Sequence, residues 1–97
     1  MGEDTGLKRL ILQKLVRANM WGGKHTPLDF VRKGGIPEHY RNTHKGQRAL
    51  ENVFKELLND EWIIILLKKT GKGTDEHVSL NPRKVSEIKQ FLENLAV

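Results

Sequence analysis

The sequence predicts an α+β fold, mainly α, and three observations carry that reading. Apolar residues recur at helical spacing near the N-terminus, over Ala49–Leu58 and near the C-terminus. The period breaks at Trp62-Ile63-Ile64-Ile65-Leu66-Leu67, a short β-branched run bounded by turn formers, which reads as a strand. Proline, glycine and asparagine fall between the periodic stretches rather than inside them. At 97 residues the chain is long enough for one domain and short for two, since domains run to ~100–150 residues, so residues 1–97 are read as one unit.

Each element has its own justification. Leu7, Leu10, Ile11, Leu15 and Ala18 share one helical face, and Leu12 and Val16 widen it, so a first helix over about Thr5–Asn19 needs cover on more than one side. Lys8, Arg9, Lys14 and Arg17 occupy most of what remains. Gly22-Gly23 is expected to end this helix, because glycine tolerates the closing turn. Thr26, Pro27 and Asp29 then form a start signal. A hydroxyl faces the free amides, proline takes the first helical position, and an acid completes a Thr-x-x-Asp capping box. The helix they open, Pro27–Lys33, buries Leu28 and Val31 with Phe30 between them, and Gly34-Gly35 stops it.

Ile36-Pro37 opens a single turn in which Tyr40 packs inward, and Asn42-Thr43 is a break or a new cap. From Gly46 the pattern is firm. Ala49, Leu50, Val53, Phe54, Leu57 and Leu58 lie on one face and Gln47, Arg48, Glu51, Asn52 and Lys55 on the other, giving a helix over about 46–59. After the strand at Trp62, Thr70–Asp75 reads as a flexible connection, and His77-Val78-Ser79-Leu80 alternates as the returning strand of a hairpin. Asn81 caps and Pro82 begins a last helix, about 82–95, with Val85, Ile88, Leu92 and Leu95 as its apolar stripe and Phe91 beside it.

Composition excludes several functions. There are no cysteines, so disulfides, thiolate catalysis and cysteine-containing zinc sites are ruled out. The longest apolar run is short against the ~20 residues a spanning helix needs, so no membrane partner is expected. No basic-apolar-small leader is recognisable, and the expectation is a cytoplasmic protein. Charge points toward a polyanion. The net charge is +5 and it is unevenly spread. Thr5–Arg48 carries ten basic residues against Asp29 and Glu38, Ala49–Leu67 is net acidic, and Lys68, Lys69 and Lys72 follow within five positions.

The order helix, short helix, longer helix, hairpin, helix resembles the winged helix domain, a helix-turn-helix followed by a two-stranded wing. The likeness reaches particular residues. Phe54-Lys55-Glu56-Leu57-Leu58-Asn59-Asp60-Glu61-Trp62-Ile63 is similar to the end of the recognition helix in winged-helix regulators, with Phe54 and Leu57 at the two core positions. Glu61 stands where that family often has glycine, and Asn59 or Asp60 is expected to supply the left-handed turn conformation instead. The resemblance covers about Thr5–Leu95 and specifies a superfamily but no subfamily. It implies a small prokaryotic, archaeal-type transcriptional regulator that binds double-stranded DNA and is not an enzyme.

Carried over, the resemblance puts the outer face of the helix about 46–59 in the major groove. Gln47, Arg48 and Asn52 are suited to base edges, with Lys55 further along and Glu51 the awkward member, since it repels phosphates. Arg41, His44 and Lys45 ahead of that helix, and Lys24 and His25 ahead of the short one, are expected at the DNA backbone. Lys68, Lys69 and Lys72 put positive charge on the wing, about 68–76, where it can follow phosphates or enter the minor groove. Read without the family, the same lysines guard an edge strand against aggregation.

Other signals carry less. Gly71-Lys72-Gly73-Thr74 lacks the spacing of a phosphate-binding loop, and a strand rather than a helix follows it. His25, His39, His44 and His77 lack ligand-pair spacing, so they are expected at the surface near phosphates, with no metal or other cofactor. Trp21 and Trp62 are read as core or boundary residues. The stripe Val85, Ile88, Leu92, Leu95 either folds back on the first helix or pairs with a second subunit, and a homodimer is slightly favoured. The rivals to DNA are a protein partner within a larger assembly, the basic face meeting an acidic surface, and structured RNA.

Overall fold

The computed structural model describes residues 5–34 and 36–94. Among these residues it is an α+β arrangement of five α-helices and a three-stranded antiparallel sheet. The helices are α1 (Thr5–Arg17), α2 (Leu28–Lys33), α3 (Glu38–Arg41), α4 (His44–Asn59) and α5 (Val85–Asn94); the strands are β1 (Thr26–Pro27), β2 (Ile63–Thr70) and β3 (Gly73–Leu80). In the sheet, β3 lies between β1 and β2. No helix among the described residues is long and apolar enough to cross a membrane.

One core joins all the larger elements. Leu7, Ile11, Leu12 and Leu15 of α1 meet Leu28 and Val31 of α2, Ile36, and Leu50, Val53, Phe54 and Leu57 of α4. Ile63, Val78 and Leu80 close it from the sheet and Ile88 from α5. Lys8 of α1 is also buried and pairs with Glu56 of α4, its ammonium 5.7 Å from the centre of the Phe91 ring of α5. A charge among apolar helices is tolerated there because an anion faces it.

Both long helices end differently from expectation. Asn19, not Gly22-Gly23, closes α1: its φ is +58°, the Asn19 amide donates to the Val16 carbonyl, and the Met20 amide to the Leu15 carbonyl. That is a Schellman closure, which needs one left-handed residue, and asparagine is among the few that accept it. At the end of α4 the left-handed residue is Glu61 itself, φ +61°, rather than Asn59 or Asp60. The Trp62 amide reaches back to the Leu57 carbonyl, and the Glu61 carbonyl accepts from Asn81 Nδ2. The closing bonds thus impose on glutamate a conformation that disfavours it. Glu61→Gly is therefore expected to stabilise the fold by about 0.5–1 kcal/mol, because relief of left-handed strain exceeds the extra chain entropy of glycine. A urea midpoint that rises at unchanged slope would bear this out.

The start signal at Thr26 is also overridden. Thr26 and Pro27 pair with Val78 and His77 as β1, Pro27 takes the capping position of α2, and no side chain caps that helix. The capping box is absent because Thr26 is drawn into the ladder by the open side of β3, whose backbone groups need partners. Proline is tolerated because β1 is an edge strand. By contrast, Thr43 does act as a cap. Its hydroxyl accepts from the Gly46 amide at 2.9 Å and donates to the His39 carbonyl at 2.6 Å, which starts α4 at His44 and ties it to α3.

The hairpin is longer and tighter than its apolar residues indicate. The β2–β3 ladder runs from Ile63 opposite Leu80 to Thr70 opposite Gly73, so the connection expected over Thr70–Asp75 contracts to Gly71-Lys72. Thr70 Oγ1 braces this turn, accepting from the Lys72 amide and donating to the Gly73 carbonyl. The outer rungs carry polar side chains in solvent and leave no apolar alternation in the sequence.

The C-terminal stripe turns inward. Asn81 accepts from the Arg83 amide and opens a single 3-10 turn, Pro82–Lys84, ahead of α5. Ile88 is fully buried in the chain's own core, Leu92 is half-buried, and Phe91 packs edge-on against Trp62. Ile88, the central residue of the stripe Val85, Ile88, Leu92 and Leu95 expected to fold back on α1 or to pair in a homodimer, is thus packed within the chain itself. Of that set only Val85 is exposed among the described residues, and Leu95 lies outside them.

Candidate nucleic-acid interface

Helix α4 is held from its inner side and open on the outer one. Gly46, Leu50, Val53, Phe54 and Leu57 are buried, while Lys45, Gln47, Arg48, Glu51, Asn52 and Lys55 are exposed. Arg48, Asn52 and Lys55 make no hydrogen bond or ion pair among the described residues. Gln47 is different: its side-chain amide donates to the Arg41 carbonyl at 2.9 Å and finishes the last turn of α3. To read a base it must release that bond. His44 and Arg41 stand exposed at the junction of the two helices.

Helix α2 links this face to the hairpin. Asp29, Arg32, Arg41, Gln47, Leu50 and Glu51 line an open hollow between α2, the end of α3 and α4. A neighbouring hollow is lined by Pro27, Leu28, Asp29, Arg32, Thr74, Asp75 and Glu76. Asp29 and Arg32 belong to both, so the N-terminal half of α4 and the β3 side of the hairpin border the same face of α2. Arg32 is the central cation here, its guanidinium 5.8 Å from the centre of the Phe54 ring. Its charge was visible in the sequence; its place was not, because nothing local indicates which side of a two-turn helix faces the wing.

The electrostatics of this surface are mixed rather than uniformly basic. Asp75 and Glu76 of β3 line the hollow beside α2, and Lys68 and Lys69 lie on β2, the strand farther from α2. Lys68 is directly opposite Asp75 in the ladder, and Leu67, 71% exposed, is opposite Glu76. Lys72 occupies the exposed tip between two glycines. The cationic set thus comprises the outer face of α4, the α3–α4 junction, the β2 edge and the tip, with an acidic strip between.

The four histidines separate into distinct environments. His77 is buried at 8% exposure, contrary to a surface role, and its Nδ1 lies 2.9 Å from Nδ1 of half-buried His25, the rings meeting edge to face. That bond joins the loop ahead of β1 to β3, across 52 residues of sequence. His25 is therefore engaged inside the molecule, while neighbouring Lys24 is exposed. His39 packs on Tyr40 at 4.2 Å between ring centres, and His44 is exposed at the start of α4. Among the described residues no group of three or more His, Asp or Glu side chains is arranged to hold a metal ion. Comparison of the chain with protein-family models, curated proteins and solved structures returns no match.

Proposed function

We propose that the chain is a winged helix-turn-helix protein that binds double-stranded DNA and regulates transcription. In this reading α4 enters the major groove, and the hairpin around Lys72 meets the backbone or the neighbouring minor groove. The observation that carries it is the outer face of α4: a guanidinium, a carboxamide and an ammonium at Arg48, Asn52 and Lys55 stand in solvent without partners among the described residues. The opposite side of that helix buries Leu50, Val53, Phe54 and Leu57, although Leu58, expected on that apolar face, is exposed. Arginine and asparagine match guanine and adenine edges in the major groove. Support also comes from the two hollows that share Asp29 and Arg32, since they bring α4 and the hairpin to one side of α2. Lys24, Arg41, His44, Lys45, Lys68 and Lys69 are the positioning contacts of this proposal, which needs no cofactor.

Titration of mixed-sequence duplex DNA across a salt series tests it. Affinity is expected to fall steeply with salt, because phosphate contacts release counterions. Absence of binding at low salt removes the reading. A protein partner is the second reading, favoured by Asp29, Glu51, Asp75 and Glu76, whose carboxylates line the hollows and oppose phosphate. The two readings diverge at the acidic strip. If DNA lies against the hairpin, Asp75→Asn with Glu76→Gln strengthens duplex binding by about three- to tenfold at low salt, as removal of like-charge repulsion predicts. Unchanged affinity would place the duplex away from β3.

A further inference from the structure

Apart from the α4 face, the structure has a third hollow, between α1 and α2, lined by Leu10, Gln13, Lys14, Arg17, Ala18 and Phe30. None of these residues belongs to the hollow beside α4 or to the one beside the hairpin. Its floor is apolar, and Phe30 is 43% exposed although it sits mid-helix in α2. Among the described residues the charged members of the lining, Lys14 and Arg17, are both cations, and no carboxylate lines it. Lys14 Nζ lies 4.3 Å from the centre of the Phe30 ring, and a Cβ added at Gly34 would fall 2.5 Å from the same nitrogen, so the glycine makes room for the ammonium over the ring. An ammonium held there is oriented but not neutralised.

We infer that this hollow docks an acidic segment of a partner protein, one large apolar side chain seated beside Phe30 and flanking carboxylates meeting Lys14 and Arg17. The shape and the charge together select that partner. A nucleic-acid backbone would satisfy the cations but leave the Phe30 ring in water. An anionic lipid surface is flat and favours larger basic clusters than two residues. A peptide with an apolar anchor between acids uses both features at once, the apolar contact supplying affinity and the carboxylates orientation. The inference does not depend on the DNA reading, and it would let one face of α2 hold a protein while the other borders a duplex.

The test is anisotropy of a fluorescein-labelled twelve-residue peptide of Asp and Glu with one central Phe, titrated with the whole chain at low salt. Saturable binding with a Kd of about 10–100 μM is expected, weakened about tenfold by Phe30→Ala and by Lys14→Glu with Arg17→Glu. A peptide with Ala in place of Phe should bind at least about tenfold more weakly, a control that needs no protein variant and so no assumption about its folding. Arg48→Ala with Lys72→Ala should leave peptide binding unchanged, and Phe30→Ala should leave duplex binding unchanged. The inference is overturned by no binding, by equal binding of the Ala peptide, or by equal binding to folded Phe30→Ala protein. It is equally overturned if vesicles of anionic phospholipid, and not the peptide, perturb the amides of residues 10–18.

Discussion

Replacing Gly46 with alanine is expected to destabilise the fold by about 3 kcal/mol, at the upper end of what overpacking a close-packed site costs. Gly46 is the third residue of α4 and is buried where that helix crosses the end of α3. An added Cβ would meet the His39 carbonyl oxygen, Tyr40 Cα at 2.5 Å and Thr43 Oγ1 at 2.8 Å. Two of those are backbone atoms, which cannot rotate aside, and the third already bonds the Gly46 amide and the His39 carbonyl. The sign of the effect is the informative part. Helix propensity alone predicts that alanine stabilises a helical glycine by about 1 kcal/mol. A lowered urea midpoint in the alanine variant supports the tight α3–α4 crossing; a raised one shows that the two backbones are farther apart. Because the same crossing aims Gln47 and Arg48, a variant that still folds should also bind duplex DNA more weakly.

Arg48→Ala combined with Lys72→Ala is expected to weaken duplex binding about a hundredfold at low salt, with loss of sequence preference from Arg48 and a reduction of about one in the slope of log affinity against log salt from Lys72. Arg48 is chosen over Gln47 because it makes no hydrogen bond or ion pair among the described residues, whereas the Gln47 amide holds the Arg41 carbonyl. Lys72 is chosen over Lys68 because it is exposed at the tip, and Lys68 faces Asp75 across the ladder. The two residues are on different elements, so their effects should add nearly independently. If Arg48→Ala alters only the salt slope and not the preference among sequences, it touches phosphate rather than a base edge. If neither substitution changes affinity, α4 and the hairpin do not make the contact.

The larger elements were legible because their signal is local. Leu50, Val53, Phe54 and Leu57 are spaced for a helix wherever α4 ends up, and the run from Ile63 cannot be amphipathic at helical period. Even so, boundaries moved where a distant partner intervened. Thr26 has the chemistry of a cap, yet pairs with Val78 because an open strand lay beside it. Glu61 is left-handed because closing bonds to α4 determine the backbone whatever the side chain is. Of the candidate interface, exposure was foreseeable from the polar half of the α4 period. The charge balance was not. Lys68, Lys69 and Lys72 stand out in the sequence, but the placement of Asp75 and Glu76 toward α2 follows from hairpin register and from the position of β1.

From its sequence alone this protein has its class, the order of its main helices and hairpin, the polar face of α4 and the absence of cysteine chemistry, since each depends on neighbours within a few positions along the chain. Tertiary structure decided which surfaces remain available. It turned Ile88 into the chain's own core, joined His25 to His77, seated Gly46 against α3, and left Phe30 open beside Lys14. Those outcomes share one physical cause: each is a competition among groups far apart in the chain for the same buried contact or backbone partner, and no local period records which competitor wins.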